Sequence, residues 1–293
     1  MVDCRQDFKM SPNFDVVVDN LAFPEALRWH KGLLWFSDVL AGKVYKADID
    51  SKRVELVVNV PPVAAGLGWL PNGELLVVDS AHRRVVILNS KLGADQLPKE
   101  FIDLSQEWAF SANDMLVESD GTLWVGSYGF DPENETPVAS RLARFKEGIL
   151  DFPIGGLIFP NGIARLDAKH LVVAETFADR LSIIKTEKSG AVTLVKHLQL
   201  PDGATPDGLC VDVNGNIWVV SAYGEVVLRV NPESAVCERA LEIPGKGTFD
   251  CAFGGDNLEI LFVATSDPDE SRSLIDLPGQ ILAFSVGVRG LSR

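Results

Sequence analysis

No stretch of this 293-residue chain approaches the ~20 consecutive apolar residues of a membrane span, and its opening residues, MVDCRQDFKM, lack the apolar core of a secretory signal. The cytoplasm is therefore the expected compartment. Cysteine and histidine are scarce, four of each, and Cys4, Cys210, Cys237 and Cys251 form neither a CxxC pair nor a zinc-like spacing. A structural zinc site is excluded on that ground, a disulfide finds no support, and a catalytic thiol lacks the histidine it would need. No GxSxG elbow is present, which removes the usual serine hydrolase, and the Gly-rich pieces at Gly155 and Phe253 lack the strand and helix context of a nucleotide site. Basic residues are also in deficit. With 27 Lys and Arg against 41 Asp and Glu, the formal net charge is -14, which disfavours nucleic acid and anionic membranes as partners but is neutral toward an uncharged small molecule.

What is abundant is repetition. Six short β-prone runs each follow a turn rich in Gly, Asn or Asp: Leu33–Asp38, 74–80, 122–127, His170–Glu175 with Thr176, 216–222 and 259–266. Counted from Leu34, Leu75, Leu123, Leu171, Ile217 and Ile260, the steps are 41, 48, 48, 46 and 43 residues. A strand-built period in the forties predicts an all-β, six-bladed β-propeller with four-stranded antiparallel blades. No Pro/Ser/Gly-rich linker interrupts the repeats, so residues 1–293 read as one domain. The strand-like FDVVVDN (14–20) and QILAFSV (280–286) are expected to pair and close the ring, which leaves no long sheet edge exposed.

A second apolar segment precedes each run, and overlaying the six puts Glu25, Ala65, Asn113, Asn161, Asp207 and Asp250 at one position. Strand interiors disfavour Asp and Asn, so five oxygen-bearing side chains in six copies call for a reason. At the starts of inner strands they would ring one mouth of the central channel. Converging carboxylates need a cation or a proton between them, and oxygen donors without imidazole or thiolate suit a hard divalent cation. Ca2+ is favoured, with Mg2+, Mn2+ or Zn2+ as substitutes; His30, His82, His170 and His197 all fall outside the ring position. Asp38, Asp79 and Glu175 end equivalent runs and are expected to bond loop amides. Asp114, next to Asn113, is expected to face away from the ring because strand side chains alternate, and to serve there as a support of the site or a stitch between blades.

At these residues the chain resembles the regucalcin/gluconolactonase family, which also contains the luciferin-regenerating enzymes. The likeness runs from Phe23-Pro24-Glu25 and LWFSD through Asn113-Asp114, Phe159-Pro160-Asn161-Gly162 and Ala174-Glu175-Thr176 to Pro206-Asp207-Gly208 and Phe253-Gly254-Gly255. The resemblance implies a divalent cation held by Glu25, Asn161 and Asp207, hydrolysis of a lactone or related ester, Asp207 as general base, and Asn113 as a further contact to metal or substrate. It departs at one place. Sugar-lactone members often carry an Arg two residues before the Asn of the ND segment, and here Ser111 stands there. Aromatic residues are supplied instead, among them Trp69, Trp108, Phe110, Tyr128, Phe130, Phe177 and Tyr223, and they lean toward a less polar substrate. The expected substrate-binding set is Asn113, Ser111, Trp69, Tyr128 and Phe177. Two alternatives keep the same site: another reaction, phosphotriesterase-like or a ring rearrangement, or a non-enzymatic calcium-binding propeller.

Overall fold

Apolar runs in which both faces must be buried pack only between two other sheets, and the second strand of each repeat is of that kind. Leu75–Asp79 and Ile217–Ser221 are buried at every position. The computed structural model describes residues 3–5, 13–89 and 93–291, and in it the chain forms a six-bladed β-propeller. Blade 1 runs from Pro24–His30 through Leu33–Asp38 and Lys43–Asp48 to Arg53–Asn59, all antiparallel, and blades 2 to 5 repeat this order from inner strands Ala64–Trp69, Ala112–Val117, Pro160–Arg165 and Pro206–Val211. Blade 6 has inner strand Gly247–Gly254 and takes its outermost strand, Asp15–Leu21, from the N-terminal side, with Asp15 opposite Ala283 and Val18 opposite Ile281 on Gly279–Ser285. Blade 5 gains a fifth strand, Asp3–Arg5, parallel to Val236–Glu242.

The core lies between blades rather than on the axis. Trp35, Val44, Val58, Leu67 and Val77 fill the seam between blades 1 and 2, and Leu181, Leu198, Leu209, Val219 and Leu228 fill that between blades 4 and 5. Each fully buried aliphatic contributes about 1.5–3 kcal/mol, so adjacent blades hold one another without a shared central core. That leaves the channel free for polar side chains. Cys210 and Cys251 are buried free thiols on neighbouring inner strands, whereas Cys237 is disulfide-bonded, a link that the cysteine spacing gave no sign of.

Every inner strand is irregular at the same level. Register shifts fall between Glu25 and Arg28, Ala64 and Leu67, Ala112 and Met115, Pro160 and Ile163, Pro206 and Leu209, and Thr248 and Asp250. A bulge re-aims side chains and breaks the strict alternation of a strand. Beside three of these bulges the backbone is left-handed at residues other than glycine, Ala26 (φ 51°), Phe159 (φ 51°) and Thr205 (φ 37°), a conformation that is costly for a β-branched residue. The inner strands are also drawn very close. A Cβ on Gly208 would stand 2.0 Å from Asp250 Oδ1 and one on Gly162 2.6 Å from the carbonyl of Asp207, so the glycines after Asn161 and Asp207 admit no side chain.

Candidate metal centre

The bulges carry Glu25, Asn113, Asn161 and Asp207 to one mouth of the channel, at the starts of four inner strands. Asn113, Asn161 and Asp207 are buried and Glu25 is partly buried. Asn161 Nδ2 donates to Thr176 Oγ1 at 3.2 Å, and that hydroxyl donates to the carbonyl of Pro206 at 2.9 Å, which fixes the amide and leaves its oxygen unclaimed. Asn113 Nδ2 is buried with no hydrogen-bond partner. Such an orphan donor costs about 1–3 kcal/mol unless a ligand or water meets it.

Electrostatics at this mouth are one-sided. Desolvation, then the charges of Asp207, Asp250, Asp114 and Glu270, holds the Glu25 carboxyl well above the usual range. Desolvation also raises Asp207 well above its ordinary value, with Asp250, Asp114 and Glu270 adding to it and the Gly208 amide opposing. Among the described residues neither Glu25 nor Asp207 has an ion-pair partner. No cluster of three His, Cys, Asp or Glu side chains stands ready among the described residues either, so the donor set is two carboxylates and one or two amides. That chemistry fits a hard, oxygen-seeking dication, which would relieve the unpaired charge.

Two acidic residues of the mouth are already engaged. Asp250 accepts from the amide of Leu27 at 2.5 Å and of Cys251 at 2.7 Å, and its carboxyl is pushed up to about 7 by desolvation, against the pull of Arg28. Arg28 is the residue that sequence reading missed. From the inner strand of blade 1 it donates to Asp114 Oδ1 (2.6 Å), Asp250 Oδ2 (3.3 Å) and the carbonyls of Leu27, Leu67 and Met115, so it ties blades 1, 2, 3 and 6 across the channel. Its signal in the sequence was a lone guanidinium in an apolar inner strand. Asp114, expected to face away from the ring, reaches Arg28 because the bulge at Asn113 breaks the alternation.

Other expected residues separate cleanly. Glu175 is fully buried and accepts from Arg180, Ser182 and the amide of Ile158; Asp38 accepts from the amides of Ala22 and Phe23; Asp79 accepts from Arg84 and pairs with His82. Asp79 braces its own blade, whereas Glu175 and Asp38 also tie theirs to the chain arriving from the preceding blade. Tyr128 and Phe177 do lie at the mouth: Tyr128 follows the strand Leu123–Ser127 and its phenol is raised by desolvation and then by Glu25, Glu270 and Asp207, while Phe177 follows Thr176. Ser111, whose carbonyl accepts from the Tyr128 amide at 3.0 Å, sits beside them. Trp69 does not belong with them. It is the last residue of its inner strand, stacked on His30 at 3.9 Å, and lines a cavity of about 550 Å3 at the opposite mouth with Trp29, Glu118 and Arg165. The substrate role expected of Trp69 is therefore corrected, because an inner strand carries its first and last residues to opposite ends of the channel. Glu270, in the segment between the last two strands of the chain, was also missed, since a loop carboxylate outside the repeat leaves no periodic signal.

A family model described as the SMP-30/Gluconolactonase/LRE-like region matches residues 23–267. The chain belongs to this family. Regucalcin of Xenopus laevis is 27% identical over 94% of this chain and 95% of its own length, and the 6-deoxy-6-sulfogluconolactonase of Pseudomonas putida is 24% identical over 88% of both. Among solved structures, regucalcin from Agrobacterium tumefaciens, described as a calcium-binding protein, superposes with a TM-score of 0.78 at 19% identity, over 99% of this chain and 98% of that one. Family members of this kind point to lactone hydrolysis. Among the described residues no helix is long and apolar enough to cross a membrane.

The raised carboxyls make stability depend on pH. A carboxylate whose folded-state pKa lies above its unfolded value favours the folded state fully below the unfolded value, about 4, and that contribution is lost as pH rises through the folded value. Chelator-treated protein is therefore expected to melt at lower temperature as pH is raised from about 5 to about 7, and saturating Ca2+ is expected to reduce the slope to the share of Asp250, which Arg28 rather than the cation holds. Thermal unfolding followed by circular dichroism checks this; a melting temperature that falls equally with and without Ca2+ would count against cation binding at these carboxylates.

Proposed function

We propose that this chain is a divalent-metal-dependent hydrolase of a lactone or related ester, with Glu25, Asn161 and Asp207 holding the cation, Ca2+ favoured, and Asp207 activating water. The observation that carries this reading is the pairing of two carboxylates that have no basic partner with a buried, unpartnered amide donor at one channel mouth. The lactonase activity named for the Pseudomonas putida relative and the calcium binding named for the Agrobacterium tumefaciens regucalcin support it.

A bound dication would polarise the lactone carbonyl. Asp207 takes a proton from water as its oxygen adds to the carbonyl carbon, and it returns that proton to the ring oxygen as the acyl C–O bond breaks. Net, one water is consumed and a hydroxy acid is formed. Asn113 Nδ2, otherwise orphaned, donates to a substrate oxygen and orients the ring. Glu25 and the Thr176-anchored Asn161 would hold the cation beside Asp207 and so keep the base near the carbonyl.

The test is turnover of aliphatic, aromatic and sugar lactones, an aryl ester and an organophosphate by chelator-stripped protein, with Ca2+, Mg2+, Mn2+ or Zn2+ restored one at a time. Cation-dependent lactone opening is the expected result. Cleavage of the organophosphate alone would transfer the site to another reaction, and tight Ca2+ binding without any turnover would make the ion structural.

A further inference from the structure

The mouth that holds Glu25 and Asp207 is walled unevenly. On the side of blades 3 and 4, Tyr128, Phe159 and Phe177 stand in a row, with ring centroids 4.3 Å apart for Tyr128 and Phe159 and 4.9 Å for Phe159 and Phe177. Phe130 backs the row at 5.9 Å from Phe159 and 5.5 Å from Phe177, and it is buried, as is Phe159. Phe177, by contrast, leaves 37% of its surface open, and its ring meets Phe159 and Phe130 edge to face. The row is therefore a supported wall with one exposed ring at its end. Phe159 is held in place by the left-handed backbone at the blade junction and Phe177 by the short turn Thr176–Ala178, so both rings are fixed by elements that also carry Asn161 and its anchor Thr176.

Charge at the same mouth has one sign. The groups acting by charge on Glu25, Asp207, Tyr128 and Tyr223 are carboxylates, among them Glu270, which lies near Glu133, joined at Tyr128 by the Tyr223 phenol. The basic residues at the ends of neighbouring strands are spent elsewhere: Arg180 on Glu175, Arg84 on Asp79, Arg141 on Glu107 and Lys246 on the carbonyl of Pro278. Among the described residues Lys43, at the start of the third strand of blade 1 and opposite Asp38, has no ion-pair partner, so the selectivity of the wall rests on its ring faces, with the Tyr128 hydroxyl as their one polar group.

Resting on the lactonase reading above, we propose that the substrate is an uncharged lactone bearing an aryl or alkyl substituent, which packs on the Phe177, Phe159 and Tyr128 wall while its ring carbonyl faces Asp207. Hydroxyl groups set against these ring faces lose their water partners, and an anionic substituent meets Glu270, which a cation held by Glu25 and Asp207 leaves unneutralised. An aromatic contact of this kind is worth roughly three- to tenfold in affinity.

The experiment compares γ-phenyl-γ-butyrolactone, γ-butyrolactone, glucono-δ-lactone and 6-phosphoglucono-δ-lactone as substrates of the Ca2+-loaded full chain. The expected order of kcat/KM is phenyl-substituted, unsubstituted, polyhydroxylated, phosphorylated. Phe177→Ser is expected to lower the phenyl-to-unsubstituted ratio about tenfold, through KM, and Phe177→Leu to keep most of it. Glucono-δ-lactone as the preferred substrate, or a ratio that Phe177→Ser does not move, overturns the inference and leaves the hydrolase reading standing. Calorimetric binding of the phenyl lactone to Asp207→Asn separates the two: Phe177-dependent binding without turnover by the parent chain would keep the wall and overturn the reaction, and absence of binding would overturn the wall.

Discussion

Asp207→Asn is expected to lower kcat for lactone opening by about 10^2–10^4 while the propeller stays folded. The amide keeps an oxygen for a cation but cannot accept a proton from water, so metal binding weakens less than turnover. The same substitution has a second, opposite signature. Asp207 is a buried carboxylate whose ionisation is resisted by desolvation and by Asp250, Asp114 and Glu270, and a neutral amide in its place removes that repulsion. The metal-free variant is therefore expected to melt above the metal-free parent at pH 7, and the gap is expected to close when Ca2+ is added. Steady-state kinetics and paired melting curves check both limbs. Undiminished turnover by the metal-loaded variant would remove Asp207 from the role of base.

Arg28→Met should have the largest effect on stability. Its guanidinium donates to two carboxylates and three carbonyls from four blades and is only 15% exposed, so truncation leaves Asp114 and Asp250 facing one another without a cation. Breaking a buried charge network from one side costs about 3–5 kcal/mol, which for a chain of this size is a fall in melting temperature of roughly 10 °C. Adding Asp114→Asn and Asp250→Asn to Arg28→Met is expected to recover more than half of the loss, because the penalty lies mainly in the orphaned charges. Denaturant unfolding of the parent, the single and the triple variant measures it; a single variant within about 1 kcal/mol of the parent would mean that water replaces the guanidinium. Arg28 matters to the centre as well. By taking Asp250 and Asp114 it leaves Glu25 and Asp207 as the carboxylates without a partner.

Much of this architecture was written along the chain. Leu34, Leu75, Leu123, Leu171, Ile217 and Ile260 mark a repeat because each blade must bury the same second strand between two neighbours, and a local burial rule repeated six times is legible as spacing. The ring position was legible for the same reason: Glu25, Asn113, Asn161 and Asp207 stand at equal phase in their repeats, so the fold carries them to one mouth. The overlay could not say which member of that ring would be claimed by another partner. Asp250 has the right phase, yet it is held by Arg28 and the Leu27 amide, 222 and 223 residues away in sequence. Nor could alternation place Asp114 correctly, since the bulge beside it exists only where two strands pair out of step. Trp69 and Tyr128 looked alike as aromatics near inner strands, but Trp69 ends an inner strand and Tyr128 follows the antiparallel second strand, which returns to the other mouth. Sequence by itself thus determined the blades and the phase of the candidate ligands, because both follow from contacts repeated at a fixed interval. Tertiary structure alone decided the Arg28 network, the aromatic wall and the approach of Glu270, because those join residues whose separation along the chain follows no period.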